Sequence, residues 1–413
     1  MSTYGCIGKT LQHSFSKEIH GMLADYEYNL IELTEEQLPA FLERRDFAAV
    51  NVTMPYKQAV IPYLDAVSDI ALRIGAVNTV VHRNGKLYGY NTDYYGMKAL
   101  ITRLGLNLQN KKVLILGTGG TGKTARAVAT DLGAAEILTV SRREGDGSIT
   151  YADAACLHAD AAVIINTTPA GMYPNVDAAP MDIAPFTQLE GVVDAVYNPL
   201  CTNLVLDAKA RGIKAEGGLY MLVMQAVAAV EKFLDTTIDP AVADDVFATI
   251  RGAKENIVLT GMPGCGKSTV GRVLAAEGYT FIDTDAEVEA RCGCTIRDLI
   301  ATKGEAYFRD LESAVIRDLS TEGGRVIATG GGAVLRAENV RHLKRNGRLF
   351  FLDAPLSRLQ ATADRPFSDT QEKLAQLYAQ RIDVYRSTAD VLVPAMDTPA
   401  AEAAHILTKG MER

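Results

Sequence analysis

Residues 261–268 constrain the fold of this chain more than any other segment. Their sequence is Gly-Met-Pro-Gly-Cys-Gly-Lys-Ser, which fits the pattern G-x-x-x-x-G-K-[ST]. The apolar run 257–259 precedes the segment, and residues 269–275 have the pattern of a helix start. Glycine amides and a helix N-terminus placed in this order form a cradle for phosphate. The segment therefore predicts an ATP-using α/β unit in the C-terminal part of the chain.

Two side chains of this phosphate loop have predicted roles. Lys267 is expected to reach the β- and γ-phosphates, and the hydroxyl of Ser268 to bind Mg²⁺. A glycine turn that binds no ligand would explain the glycines but not this Lys-Ser pair. The other residues of the loop that we expect to contact ATP are Gly261, Gly264, Cys265, Gly266 and Thr269.

The length, composition and charge of the chain indicate what class of protein it is. A length of 413 residues exceeds one ordinary core and predicts two or three domains. Hydrophobic residues make up 48% and charged residues 22%, which is typical of a globular enzyme. The net charge of −8 gives no general attraction to nucleic acid or to an anionic membrane, so we expect neither as a partner. The sequence does not indicate an oligomeric state.

Targeting signals and cysteines favour a cytoplasmic protein. The first residues lack a basic region followed by an apolar core, so we expect no signal peptide, and no apolar run is long enough to span a bilayer. The six cysteines are scattered. The pair Cys292-Gly-Cys294 would suggest a metal site, but no second Cys/His pair lies at zinc-site spacing. Reduced cytoplasmic thiols are the expected state.

Apolar runs alternate with helical patterns along most of the chain, which predicts parallel sheets covered by helices. The predicted strands include 113–116, 137–140, 162–166, 192–196, 257–259, 325–329 and 348–352. The predicted sections are a domain at 1–101 completed by a helix at 217–236, a nucleotide-binding domain at 102–216, a linker at 237–255 and a third domain at 256–413.

A second glycine loop follows the predicted strand 111–116. Residues 117–124 fit both the dinucleotide pattern G-x-G-x-x-G and the phosphate-loop pattern. The next strand ends in Ser141, Arg142 and Arg143, where a dinucleotide-binding fold contacts the ribose; arginine there favours a 2′-phosphate, although an exposed polar turn would have the same composition. We therefore predict NADP(H) binding, with Gly117, Gly119, Gly120 and Gly122 at the cofactor.

Four polar clusters precede this loop, at 13–16, 51–57, 75–79 and 91–93. Their short hydrogen-bonding side chains suit a polyhydroxylated ligand, although each cluster alone is also typical of a turn.

In these clusters, residues 1–236 resemble the shikimate dehydrogenase family. The shared motifs are H-S-x-S at 13–16, N-V-T-x-P-x-K at 51–57, A-V-N-T at 76–79, N-T-D at 91–93, the glycine loop, and the segments 166–172, 194–199 and 218–225. The resemblance implies an α/β substrate domain with a Rossmann NADP domain. It implies a catalytic pair, Lys57 and Asp93, in which the lysine donates a proton to the forming alkoxide. It also implies a shikimate pocket formed by Ser14, Ser16, Asn51, Thr53, Asn78, Tyr197 and Gln225.

The C-terminal section has further polar residues at strand ends. Asp283 and Asp285 follow the predicted strand 279–282; at this spacing one carboxylate could support Mg²⁺ and the other accept a proton from a hydroxyl. Arg309 and Arg381 could bind a carboxylate bidentately, although an arginine taken singly is more often a surface charge. The three glycines at 330–332 would let a ligand approach the backbone.

From residue 256 onward the chain resembles shikimate kinase. The shared order is the phosphate loop, D-x-D, G-E-x-x-F-R-x-x-E, G-G-G, R-P and R-x-x-x-Y. The resemblance implies a parallel-sheet kinase domain in which Asp285 faces the acceptor hydroxyl, Asp283 supports Mg²⁺ and Arg365, on a mobile lid, stabilises the transferred phosphoryl group. The shikimate-binding set that it implies is Asp285, Arg309, Gly330, Gly331, Gly332 and Arg381.

Together the two resemblances predict a fused enzyme for consecutive reactions. NADPH would reduce 3-dehydroshikimate to shikimate, and Mg-ATP would phosphorylate shikimate to shikimate 3-phosphate. One alternative is a quinate/shikimate dehydrogenase joined to a kinase for another small hydroxy acid. Another is a regulatory binding protein with inactive sites, which the presence of Lys57, Asp93, Lys267, Ser268 and Asp285 disfavours.

Overall fold

A computed structural model describes residues 3–11, 15–145, 147–361 and 369–411. The chain divides into two compact units, Met1–Ile250 and Arg251–Arg413. No helix in these described ranges is both long and apolar enough to cross a membrane.

The first sheet of the first unit is mixed. Its section contains β1 (Tyr4–Gly8), α1 (Ser16–Leu23), β2 (Tyr28–Glu32), α2 (Gln37–Arg44), β3 (Ala49–Val52), β4 (Ala66–Val67), α3 (Asp69–Ile74), β5 (Thr79–Arg83), β6 (Lys86–Tyr90) and α4 (Asp93–Arg103). The strand order is β2-β1-β3-β5-β6-β4, with β5 antiparallel to both of its neighbours. Asn84 and Gly85 join β5 to β6 with positive φ angles of 51° and 75°, which a two-residue hairpin turn requires. All four residues of β3 are buried, which places the end of this strand deep in the fold.

The second sheet is fully parallel. It is built from β7 (Lys112–Leu116), α5 (Gly120–Asp131), β8 (Glu136–Ser141), β9 (Ser148–Thr150), α6 (Tyr151–Leu157), β10 (Val163–Asn166), β11 (Gly191–Asp194), α7 (Asn203–Ala210) and β12 (Lys214–Glu216). The order is β12-β11-β10-β7-β8-β9. Val113 and Ile115 of β7 pack into one hydrophobic cluster, and Leu114 and Leu116 into another. The strand is continuously apolar because both of its faces are covered.

Two helices follow this sheet, α8 (Leu219–Leu234) and α9 (Pro240–Lys254). Helix α8 returns to the first section and packs on α1 and α4. A Cβ added to Gly96 of α4 would lie 2.4 Å from the carbonyl oxygen of Met221, so the two helices touch through their backbones. The region predicted as a linker, 237–255, consists mostly of α9, and its buried Val246 and Phe247 pack in the same cluster as α8.

The second unit contains a five-stranded parallel sheet in the order β14-β15-β13-β16-β17. Its elements are β13 (Asn256–Thr260), α10 (Lys267–Ala276), β14 (Thr280–Asp283), α11 (Thr284–Cys292), α12 (Ile296–Leu319), β15 (Arg325–Ala328), α13 (Ala337–Asn346), β16 (Gly347–Asp353), α14 (Gln371–Thr388), β17 (Val391–Pro394) and α15 (Pro399–Met411). The predicted α/β class with parallel sheets is confirmed, and the predicted strands differ from the observed ones by two residues or fewer at each end.

Candidate active sites

The predicted pair Lys57 and Asp93 is in contact. Lys57 Nζ donates to Asp93 Oδ2 over 2.5 Å, and the side chains are only 19% and 12% exposed. Asp93 is the first residue of α4, so the helix N-terminus also stabilises its negative charge. The backbone carbonyl of Lys57 accepts a hydrogen bond from Val77, which anchors the segment after β3. Burial distinguishes this pair from an exposed ion pair of little energetic value.

A buried hydrogen-bond network includes Thr92, the residue before Asp93. Tyr28 donates its hydroxyl proton to Asn51 Oδ1 over 2.7 Å, and Asn51 Nδ2 donates to Thr79 Oγ1. Asn78 Nδ2 donates to Thr92 Oγ1, and the Thr92 amide donates to Asn78 Oδ1 over 2.6 Å. The amides of Asn51 and Asn78 are therefore held in one orientation beside Asp93.

Four more of the residues predicted to contact shikimate belong to the part of the chain that the structure describes. Ser16 is the buried first residue of α1, and the Thr53 amide donates to the carbonyl of Ile7. Tyr197 packs edge-on against the ring of Phe15 at 5.2 Å, and its burial raises the pKa of its hydroxyl. Gln225 is buried on α8. It lies against α4, since a Cβ on Gly96 of that helix would be 3.1 Å from Gln225 Cβ. Ser14 lies outside the described residues.

The second glycine loop opens beside the lysine. It lies at the carboxyl end of β7, next to β10, where the order of this parallel sheet reverses and a ligand crevice is expected. Gly117 has a φ of 107°, and a Cβ on Gly122 would lie 2.4 Å from the Gly117 carbonyl oxygen. A Cβ on Gly120 would lie 4.0 Å from Lys57 Cδ, so the loop faces the pair formed by Lys57 and Asp93. A Cβ on Gly119 would meet no atom of the described chain within 4 Å, which leaves that side of the loop open to a pyrophosphate.

The residues predicted to distinguish NADP from NAD lie at the end of the neighbouring strand. Ser141 ends β8, and its hydroxyl donates to the carbonyl of Arg143. Arg142 and Arg143 are both exposed. Since β8 is the parallel neighbour of β7, these cations lie at the same edge of the sheet as the glycine loop, and the site fits a dinucleotide with an additional phosphate.

A buried carboxylate organises the opposite side of this crevice. Asp194, at the end of β11, accepts hydrogen bonds from Asn166 Nδ2, the Val196 amide and the Thr202 hydroxyl. Burial raises its pKa to about 6. Asp194 has no role predicted from the sequence, because the local pattern at the end of β11 does not show that this carboxylate is buried.

The second unit brings most of its predicted residues to the wall of one cavity of about 670 Å³. These are Gly264, Gly266, Lys267, Ser268, Thr269, Asp283, Asp285, Arg309, Gly330, Gly331, Gly332 and Arg381. Arg365 lies outside the described residues. The cavity therefore joins the phosphate loop to the predicted acceptor residues.

The phosphate loop has the geometry that its glycines permit. Gly264 and Gly266 have φ angles of 83° and 99°, which residues with a side chain rarely adopt. Lys267 Nζ donates to the carbonyl of Gly261 over 2.8 Å. Cys265 Sγ lies beneath the loop, 2.7 Å from where a Cβ on Gly261 would be.

The predicted magnesium ligands are adjacent. Ser268 Oγ donates to Asp283 Oδ2 over 2.6 Å. Among the described residues there is no group of three or more His, Cys, Asp or Glu side chains able to hold a metal. One hydroxyl and one carboxylate fit Mg²⁺, which keeps several waters and completes its shell with phosphate oxygens.

Two buried carboxylates of this cavity, those of Asp285 and Glu312, lie close to Gly330. A Cβ on Gly330 would lie 2.5 Å from both Asp285 Oδ1 and Glu312 Oε1. Neither oxygen has a hydrogen-bond partner in the described chain. Burial, with the nearby charges of Glu312 and Asp283, raises the pKa of Asp285 to about 6, and burial also raises that of Glu312. A base of this kind is suited to accept a proton from a hydroxyl near neutral pH.

Two arginines converge on the same glycines. Arg309 Nη1 donates to Glu312 Oε2 over 2.8 Å, and a Cβ on Gly332 would lie 2.4 Å from this nitrogen. Arg381 is buried and donates to the Gly331 carbonyl over 3.0 Å; its burial lowers its pKa. Arg309 and Glu312 stand three residues apart on a helix and so share a face, a spacing that would have indicated the role of Glu312.

Comparison with known proteins gives a family match for each unit. The family model of the shikimate dehydrogenase substrate binding domain matches residues 6–80, and the shikimate kinase model matches residues 263–411. A shikimate dehydrogenase (NADP(+)) of Clostridium beijerinckii is 36% identical over 265 residues, which span 60% of this chain and 97% of the relative.

Two solved structures resemble the N-terminal part. A chorismate mutase/shikimate 5-dehydrogenase fusion protein of Clostridium acetobutylicum is 34% identical with a TM-score of 0.58, covering 60% of this chain and 97% of that one. Shikimate 5-dehydrogenase of Thermus thermophilus, in complex with NADP(H) and shikimate, is 30% identical with a TM-score of 0.55, covering 60% and 99%.

Proposed function

Because the chain belongs to the shikimate dehydrogenase family and carries a shikimate kinase domain, it is a bifunctional shikimate-pathway enzyme, and we propose which of its residues perform the two reactions. Lys57 and Asp93 act in the reduction of 3-dehydroshikimate, and Asp285 and Lys267 in the phosphorylation of shikimate. The observation that carries the proposal is that each nucleotide loop opens beside its own proton-transfer group, Lys57 in one unit and Asp285 in the other.

In the reductive step, Lys57 delivers the proton. Its ammonium donates to the oxygen of the ketone as negative charge develops there, while Asp93 holds the ammonium in place. Asn51 and Asn78, oriented by Tyr28 and Thr92, bind the ring hydroxyls, together with Ser16, Thr53, Tyr197 and Gln225. We include Ser14 in this pocket on its motif alone.

In the phosphorylation step, Asp285 accepts the proton of the attacking hydroxyl. Arg309 and Arg381 bind the carboxylate of shikimate, and the backbone at 330–332 closes against the ring. Lys267 exchanges its bonds to the loop carbonyls for bonds to phosphate. Arg365 is included on its motif alone.

The nucleotides supply the remaining chemistry: NADPH provides the hydride, and ATP with Mg²⁺ provides the phosphoryl group. Gly117, Gly119, Gly120 and Gly122 would hold the pyrophosphate of NADPH, with Ser141, Arg142 and Arg143 at its 2′-phosphate. The loop residues 261–269 would hold ATP, and Ser268 and Asp283 would hold Mg²⁺.

We also propose a cytoplasmic location and partners limited to these small molecules. The six cysteines are scattered along the sequence, which is typical of reduced thiols, and the acidic net charge gives no attraction to nucleic acid or to an anionic membrane.

Paired substitutions test this assignment. The purified protein receives 3-dehydroshikimate, NADPH and Mg-ATP, and mass spectrometry identifies the products. Lys57→Ala is expected to abolish NADPH oxidation and leave phosphorylation of added shikimate unchanged, because it removes the proton donor of one unit only. Lys267→Ala is expected to do the reverse and accumulate shikimate. The assignment would be refuted if both variants kept the wild-type turnover in both reactions.

A further inference from the structure

Two cysteines of the second unit form a close dithiol. Cys292 ends α11, and Cys294 follows after a single glycine, before α12 begins. The two Sγ atoms are 3.5 Å apart, with the Cys294 thiol donating to Cys292 Sγ and the Cys292 thiol donating to the Cys294 carbonyl. Both residues are partly exposed, so a small reagent can reach them.

We propose that Cys292 and Cys294 form a reversible disulfide that lowers the kinase activity of the second unit. This inference rests on the proposed kinase function and adds a redox-sensitive modification site to it. The bond requires the two sulfurs to approach to about 2.05 Å, so each thiol needs only a small movement. Gly293 between them has a φ of 70°, and a Cβ on it would meet no described atom within 4 Å, so the turn has room to change.

The reaction is a thiol–disulfide exchange with a small disulfide such as oxidised glutathione. The Cys292 thiolate attacks one sulfur of the reagent and releases the first thiol. The Cys294 thiolate then attacks Cys292 Sγ and releases the second thiol. The hydrogen bond to Cys292 raises the pKa of Cys294, which suits Cys294 to react second. Two protein thiols are oxidised, and one reagent disulfide is reduced to two thiols.

A metal site is the weaker interpretation of the same pair. A stable site requires three or four ligands, and among the described residues no third His, Cys, Asp or Glu side chain completes a metal-binding group with these thiols. A cysteine pair in a reducing cytoplasm is more often a redox sensor than a permanent disulfide.

The turn connects directly to the kinase cavity. Thr295, next to Cys294, lines the cavity together with Ile296 and Glu289. The Ile296 amide donates to Glu289 Oε1 over 3.0 Å, which ties the start of α12 to α11. Helix α11 carries Asp285 in its first turn. Segment α12 is broken at Gly304, which has a φ of 86°, and Arg309 lies after this break. Contraction of the turn would therefore shift α11 with Asp285 and the first part of α12, which lines the cavity through Ile296.

Titration with glutathione redox buffers on the full-length enzyme tests the inference. Kinase and dehydrogenase rates are measured at each buffer ratio, and peptide mass spectrometry locates the disulfides. We expect a Cys292–Cys294 disulfide and an unchanged dehydrogenase rate. The kinase rate should fall at least about tenfold, because misplacing reacting groups by about 1 Å can lower a rate by as much as about a hundredfold. A reductant should restore the kinase rate. The fully reduced enzyme is assayed first, so an absent kinase activity would refute the proposed function and not the redox site.

Three variants complete the design. Cys292→Ser and Cys294→Ser should keep the reduced kinase rate and lose the response to oxidation, and Cys156→Ser, at an exposed lone cysteine, should respond as the wild type does. Two outcomes at the pair itself would overturn the proposal: a Cys292–Cys294 disulfide that leaves the kinase rate unchanged, or a pair that stays reduced while other thiols react. A third is an oxidative loss of kinase rate in the serine variants equal to that of the wild type, which would point to Cys265.

Discussion

At the scale of single residues, Glu312 is the most deeply buried carboxylate of the kinase cavity. Its side chain is 0% exposed. One oxygen accepts a hydrogen bond from Arg309, and the other faces Gly330 beside Asp285. Because a buried carboxylate needs charged or hydrogen-bonding partners, Glu312 and Arg309 hold each other in place. We infer that Glu312 positions Arg309 for the carboxylate of shikimate.

The substitution Glu312→Gln tests this role. It keeps the volume but removes the charge, so the guanidinium of Arg309 loses a charge-assisted hydrogen bond. We expect the KM for shikimate in the kinase reaction to rise about tenfold, with a smaller change in kcat and no change in the dehydrogenase reaction. Steady-state kinetics of both reactions measure the effect.

Glu305→Gln is the matched control. Glu305 also lies 3.3 Å from Arg309 but is 51% exposed, so its interaction is screened by water. For the Glu305→Gln variant we expect the KM for shikimate in the kinase reaction to change by less than about threefold. Equal effects of the two substitutions would mean that burial does not determine which glutamate orients the arginine.

The sequence predicts individual residues only where chemistry and spacing coincide. Lys57, Asp93, Lys267 and Asp285 each stand in a motif whose neighbours predict a role for them. Tyr28 does not: its hydrogen bond to Asn51 joins residues 23 positions apart, and nothing near Tyr28 in the sequence indicates it.

At the scale of secondary-structure elements, Asp194 connects three pieces of the second sheet. Its carboxylate accepts from Asn166 at the end of β10, from Val196 in the following loop, and from Thr202, which caps α7. The arrangement places a charged group at a fully buried strand end. Desolvation raises its pKa to about 6, above the value of about 3.9 expected in an unfolded chain.

This shift makes a signed prediction for stability. The folded state binds the Asp194 proton more tightly than the unfolded state does, so the contribution of this group to stability increases as the pH falls from 6 to 4. At pH 7 the buried charge lowers the free energy of unfolding by as much as about 3 kcal/mol. Asp194→Asn removes the titration and keeps the shape.

Calorimetric unfolding at pH 4 and pH 7 measures this effect. We expect the stability of Asp194→Asn relative to the wild type to be higher at pH 7 than at pH 4. A difference that is the same at both pH values would contradict the raised pKa.

Elements differ in how well the sequence predicts them. Strands β7, β10 and β13 are continuous apolar runs followed by polar or glycine-rich segments, so their type and approximate limits are evident from the sequence. Strand β4 has only two residues, and β5 runs antiparallel between two neighbours. Such features depend on partners elsewhere in the chain, which the local pattern does not specify.

At the scale of the whole molecule, the chain has two units with separate cores. The hydrophobic clusters around β7 belong to the first unit, and those around β13 belong to the second. The boundary between the units falls within α9, after Ile250. Each unit is long enough to bury a core of its own.

Ligand-dependent unfolding tests this division. A ligand that binds only the folded state stabilises it by about 2.7 kcal/mol at a hundredfold excess over its Kd. We expect two calorimetric unfolding transitions. NADP⁺ should raise the midpoint temperature of one, and Mg-ADP should raise that of the other. In Lys267→Ala the shift with Mg-ADP should be lost while the shift with NADP⁺ remains. A single transition whose midpoint temperature rises with either ligand would show that the units unfold together.

The α/β class, both nucleotide loops and the chemical type of each site are predictable from the sequence, because strand, glycine loop and helix start are local patterns of adjacent residues. The sequence could not determine that Gly120 faces Lys57, that Glu312 and Asp285 meet at Gly330, or that Asp194 is buried. Those relations join residues far apart in the chain, and burial changes the pKa of a carboxylate only after the surrounding elements exclude water. They become visible in the folded chain alone, since contact and desolvation are properties of packing.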